Sequence, residues 1–133
     1  MGGNMPTRFF DPKNVSTRSI PYSHGVQVEA SSTLLFMSGQ VGRGLPHGEI
    51  LPGFEGQIRQ TYANIESVLK EANMTLTNLV KITTYLTDRS NLEAMREIRK
   101  EILGDHKPAH TLVIVAGLAF EEYLIEVDCV AAI

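Results

Sequence analysis

Leu79-Val80-Lys81-Ile82-Thr83-Thr84-Tyr85-Leu86-Thr87 decides the fold. It is dense in β-branched and bulky residues, which pack best on a pleated surface, so it reads as a strand. On its N-terminal side Phe54, Ile58, Tyr62 (or Thr61), Ile65, Val68 and Leu69 recur at intervals of three and four. Glu55, Gln57, Arg59, Glu66 and Lys70 fall elsewhere, which makes this an amphipathic helix with one apolar stripe. Glu66 stands four residues before Lys70, a favourable pair on a helix surface. On the C-terminal side Ser90 and Glu93 form an S-x-x-E capping box that opens a second helix. Its apolar face is Leu92, Met95, Ile98 (or the stem of Arg99) and Ile102, and Gly104 closes it.

Further out, Thr111–Ala116 and Leu124–Ala132 read as two closing strands, and Thr33–Ser38 as a short buried strand ending at Gly39. Phe9, Phe10 and the alternating run Gly25–Glu29 suggest two earlier strands. Between Gly39 and Gly56 the chain is rich in glycine, with Pro46 and Pro52 among them, and reads as a flexible loop. The order β-β-β-α-β-α-β-β predicts a single α+β domain over residues 1–133, two-layered, with a flexible N-terminus over 1–7 and both helices on one sheet face. Segments 34–38, 79–87 and 111–116 carry apolar residues on both faces, and a chain this small cannot bury both by itself, so association through the open face is expected.

Composition narrows the function. Twelve Lys+Arg against 15 Asp+Glu give a net charge of −3, without the basic stripe that phosphate neutralisation requires, which argues against a nucleic-acid partner. No apolar run approaches the roughly 20 residues of a membrane span. One cysteine, Cys129, excludes an internal disulfide framework and any C-x-x-C centre, as in a reducing compartment. The first residues lack the apolar core of a signal peptide and the basic pattern of a transit peptide, so a cytoplasmic location is expected.

The last strand gives the cleanest local signal. Ile125, Val127 and Cys129 point one way while Glu126 and Asp128 point the other, two carboxylates on one strand face suited either to a solvated surface or to acid–base work. His106, Lys107 and His110 crowd one segment, but Pro108 breaks any helix that would pair the histidines, and no third ligand stands at metal-site spacing. The glycine-rich loop is neither a phosphate-cradling loop nor a dinucleotide fingerprint. Cys129 alternates with core residues and reads as a packed thiol.

Taken in order, Pro21-Tyr22-Ser23, Leu35-Phe36-Met37-Ser38-Gly39-Gln40, Gln57-Ile58-Arg59-Gln60-Thr61 with Asn64-Ile65, Val80–Asp88, Lys107-Pro108-Ala109 and Leu124-Ile125-Glu126-Val127 resemble the RidA/YjgF family of enamine/imine deaminases, over about residues 18 to 131. The resemblance implies a chorismate-mutase-like (bacillus type) α+β fold, with a mixed sheet and two helices on one face. It also implies a homotrimer whose sheets form a central barrel, with clefts between subunits. The implied reaction is hydrolysis of a short-lived 2-imino or enamine acid to a keto acid and ammonia, with no cofactor and no metal. Tyr22 matches the family's active-site tyrosine, Glu126 its water-orienting glutamate, and Gly39 a position whose backbone lines the cleft. Where the family carries a carboxylate-binding guanidinium after Pro-Ala, this chain has His110, which cannot form the bidentate fork and is assigned general acid/base duty. Arg96, at the edge of the apolar stripe, reads either as a surface arginine or as a relocated anchor, and in the second reading Leu112 and Gly39 join it in substrate binding. If the anchor is lost, the same fold would serve as a non-catalytic small-molecule-binding trimer.

Overall fold

The computed structural model describes residues 7–14, 22–30 and 32–133. The expected flexible N-terminus falls, for residues 1–6, outside the described residues, while Thr7 opens β1 (Thr7–Phe10), which pairs antiparallel with β2 (Gly25–Val28). The principal sheet runs in the order β3 (Leu34–Phe36), β9 (Ile125–Ala132), β7 (Leu79–Leu86), β8 (Ala109–Ile114), with β4 (Gln40–Val41) also paired to β9. β7 and β8 are parallel, joined through α2 (Leu92–Leu103), and the other pairings are antiparallel. α1 (Phe54–Glu71) and α2 cover one face, giving the expected two-layer α+β architecture with a mixed sheet.

The core lies between the helices and the covered face. Ile58, Tyr62, Ile65 and Leu69 of α1 and Met95 and Ile98 of α2 pack on Ile82 and Leu86 of β7 and on Ile125, Val127 and Cys129 of β9. Alternation along β9 is strict: its odd-numbered residues from Ile125 to Ala131 are buried, and Glu126 and Asp128 stand on the open face. A bulge between Leu79 and Lys81 absorbs Val80. Beyond it β7 presents Lys81, Thr83 and Tyr85 to the open side, so that strand is less two-sided than its composition suggests. The exposed apolar side chains of the open face are instead Phe36 (72% exposed) and Leu34 (47%) of β3, with Val113 (38%) of β8.

Three sequence expectations are corrected. The glycine-rich stretch is structured: β4 joins the sheet, and β5 (Arg43–Gly44) and β6 (Glu49–Ile50) form a hairpin. A Cβ on Gly42 would stand 2.6 Å from the backbone of Gln57, so this glycine permits close packing on α1. Asn64 Nδ2 then donates to the carbonyls of Val41 and Arg43, both at 3.0 Å. Gln57, expected on the polar side of α1, is 2% exposed. Its amide donates to the carbonyls of Leu51 (3.0 Å) and Glu122 (2.9 Å) and accepts from the Leu124 N–H (2.8 Å), satisfying backbone groups that water cannot reach. The cap before α2 is Asp88, whose carboxylate accepts from Ser90 N at 2.9 Å in a 3-10 turn over Arg89–Asn91, while Glu93 pairs with Arg96.

Candidate active site

Between Phe36, opposite Val130, and Gln40, opposite Val127, three residues (Met37, Ser38, Gly39) face two (Asp128, Cys129). That extra residue is a bulge, and it brings the Gly39 backbone against the Glu126 side chain. A Cβ on Gly39 would lie 1.9 Å from Glu126 Oε2, so only glycine lets the carboxylate occupy this place. Burial raises the proton affinity of Glu126, and the negative charge of Asp128 raises it further. Asp128 in turn accepts from the Tyr85 hydroxyl at 3.1 Å. A half-buried carboxylate of raised pKa beside an open apolar surface is equipped to take and return a proton.

His110 stands on the other side of the sheet. It pairs with Ile82 across β7–β8 and faces the helices, where Thr84 Oγ1 lies 2.8 Å from its Nε2. Arg99 of α2 brings Nη1 to 2.6 Å from Nδ1 and 2.8 Å from Nε2, across the imidazole. The tautomer that satisfies both neighbours carries its proton on Nε2, donates to Thr84 and accepts from Arg99 at Nδ1. Burial lowers the His110 pKa from 6.5 to about 3, with the charges of Arg99 and Lys81 adding to it, so the ring is neutral at physiological pH. A base that weak does not serve as a general acid/base near pH 7; its fitness is for hydrogen bonding.

Tyr22 belongs to a segment tied to the start of β8: Ser23 Oγ donates to the Lys107 carbonyl (2.6 Å), and Ser23 N to that of Pro108 (3.2 Å). Two blocks far apart in sequence thereby meet next to Ala109-His110. Pro21 lies outside the described residues. One protomer therefore holds Gly39 with Glu126 on the open face, and Tyr22 and His110 at the β8 edge, without bringing the two groups together. Leu112 shares the helix-covered face with His110 and packs against the core. His106 turns away from His110, its Nε2 donating to the Leu79 carbonyl at 2.8 Å. Among the described residues no cluster of three or more His, Cys, Asp or Glu side chains forms a metal site. Among the described residues no helix is long and apolar enough to cross a membrane.

Arg96 is in solvent, paired with Glu93 at 3.0 Å. The guanidinium that reaches His110 belongs to Arg99, 4% exposed. Sequence reasoning credited Arg99 only as an apolar stem, yet Leu92, Met95, Arg99 and Ile102 follow the i, i+3, i+7, i+10 spacing of a buried stripe, with the arginine at its centre. A charge at such a position was the signal.

The whole of residues 15–133 matches the family model described as Endoribonuclease L-PSP. A RutC family protein of Aquifex aeolicus is 34% identical over 113 residues, covering 84% of this chain and 87% of that one. The chain belongs to the RidA/YjgF family. Among the relatives of this RidA-family chain is the 2-iminobutanoate/2-iminopropanoate deaminase of Mus musculus, 33% identical over 99 residues, 74% of this chain and 71% of the mouse protein. A conserved Rid-family protein of Yersinia pestis, described as of unknown function, has the same fold, with a TM-score of 0.84 at 30% identity over 97% of this chain and 100% of that one. The RidA family thus includes imine deaminases, and its fold is the one found here.

Proposed function

We propose that this protein hydrolyses a small 2-imino or enamine acid to the 2-keto acid and ammonia, working as a homotrimer. The observation that carries the reading is the Glu126 carboxylate, seated on Gly39 with its proton affinity raised. In the proposed reaction a water adds to the carbon of the protonated imine as Glu126 takes one of its protons, which gives a neutral carbinolamine. Glu126 returns that proton to nitrogen, and the hydroxyl proton passes to Glu126 as the C–N bond breaks, the C=O bond forms and ammonia leaves. The Gly39 backbone lines the cleft, Leu112 supplies apolar wall, and the Tyr22 hydroxyl donates to the departing nitrogen. His110 acts as a neutral hydrogen-bonding support.

The trimer has its own support. The Glu126 side and the Tyr22–His110 side of one protomer lie apart, and a neighbour's β8 edge laid against the open face would join them. Phe36, Leu34 and Val113 are the apolar side chains such a neighbour would cover. The net charge of −3 speaks against the nuclease activity in the family model's description.

The test is direct. 2-Aminoacrylate, generated in place by a dehydratase acting on serine, or a larger enamine acid, is offered to the protein and keto-acid release is followed. Release should exceed the spontaneous rate, and Glu126→Gln should lose about 10²–10⁴-fold of that acceleration. No acceleration on any imine, with keto-acid binding retained, would establish a non-catalytic binding trimer instead. Sedimentation should give a particle of three 14.7 kDa chains.

A further inference from the structure

We infer that Arg99 is the anion-binding group of this protein, a guanidinium held on the neutral ring of His110 to receive the carboxylate of a small monoanionic ligand. For the identity of that ligand, an imino or keto acid, the inference rests on the deaminase reading. The charge itself does not.

Arg99 is 4% exposed and its contact is with His110, which carries no compensating charge. Among the described residues no carboxylate comes within 4.0 Å of its guanidinium. The undescribed residues 1–6, 15–21 and 31 contain no Asp or Glu, so every acidic side chain of the sequence is accounted for. Burial disfavours the charge of Arg99 most strongly, Tyr62 favours it, and the approach of Arg96 disfavours it. Tyr62, a charge neighbour of Arg99, is 1% exposed, and its hydroxyl has no hydrogen-bond partner. A buried cation with no anion is costly, and a site that keeps one is a site with an anion to come.

The surroundings also select the anion. A guanidinium has five donors in a planar fork; His110 takes one, leaving an edge of the kind that binds a carboxylate through parallel hydrogen bonds. The planar fork matches the two oxygens of a carboxylate in spacing as well as in charge. β8 is a terminal strand of its sheet, and half-buried His110 lies on it, which puts the pair at a sheet edge.

The full-length protein is titrated with 2-oxobutanoate, a stable keto acid, and with uncharged 2-butanone, by calorimetry and thermal shift. Wild type should bind the acid and not the ketone. Arg99→Gln should weaken acid binding about 30-fold, and Arg99→Lys less, because it keeps the charge but not the fork. Arg96→Ala should bind as wild type. Undiminished binding by Arg99→Gln overturns the inference, even if imine turnover stands. Arg99-dependent binding without any imine turnover upholds it while the deaminase reading falls. Absence of binding in wild type, with Arg99→Gln dissociating the oligomer, overturns it by assigning the counter-charge to a neighbouring copy. Should Arg99→Gln fail to fold, the His110 ring resonances of the wild-type protein must shift on adding 2-oxobutanoate, and their standing still overturns the inference.

Discussion

The two faces of the central sheet hold opposite charges in opposite ways. On the open face Glu126 and Asp128 stand two residues apart on β9, where burial and then the charge of Asp128 raise the proton affinity of Glu126, and Lys81 on the same face spends its ammonium on Thr111 Oγ1 at 2.7 Å. On the covered face Arg99 is buried with a neutral histidine and no acid. Within one protomer neither charge answers the other, because the sheet stands between them. The difference teaches that proton handling and anion binding are divided in this fold. A ligand that uses both must bridge the open face and the β8 edge.

The largest effect should come from filling the space under the open-face acid. Gly39→Ala places a methyl group 1.9 Å from the present position of Glu126 Oε2, so the carboxylate must swing away. Gly39 lies in a bulge and outside the β-ladder, so the fold should survive. Imine turnover should fall about 10²-fold, in line with misplacing a catalytic group by an ångström or more, while Arg99-dependent keto-acid binding stays within a factor of a few. Loss of both together would erase the distinction between the faces.

The covered face can be tested by acid. The folded pKa of His110 is depressed, to about 3 from 6.5, so the unfolded chain holds more protons than the folded one between those values. The stabilising contribution of the neutral ring is complete above pH 6.5 and is lost as pH falls toward 3. At pH 5 it amounts to a loss of about 2 kcal/mol relative to pH 7. Denaturant melts at the two pH values should show wild type losing that much more than His110→Gln. Parallel losses would mean that the ring is solvated and Arg99 does not confine it. The two proteins differ only at this side chain, so the difference between them isolates the imidazole.

Much of this was legible in the sequence. Periodicity placed both helices and the three long strands, because long elements sample their own repeat several times. β4 to β6 were missed since their pairing depends on Gly42 meeting Gln57, a contact between residues 15 positions apart that no local pattern encodes. Gln57 was misplaced because a polar residue scores as surface, whereas burial here satisfies three backbone groups at once. At the site, Glu126 and Gly39 could be singled out by strand alternation and resemblance. What escaped was the bulge that joins them and the arginine that meets His110. Both are tertiary facts, one of register and one of helix rotation.

The smallest expected effect separates Arg96 from Arg99. Three residues apart on a helix, the two differ by about 60° around its axis. Arg96 falls outside the stripe and forms an exposed i, i+3 pair with Glu93, side chains 54% and 76% exposed. Such a pair contributes little, since solvent screens it and both side chains give up rotamer freedom. Arg96→Ala should change stability by less than about 0.5 kcal/mol, leave the affinity for 2-oxobutanoate unaltered, and remove what little salt dependence the Glu93 pair confers. Were Arg96 the guanidinium that binds the acid, the same variant would abolish acid binding. Arg96→Ala is therefore the measurement that fixes which guanidinium the sheet has taken in.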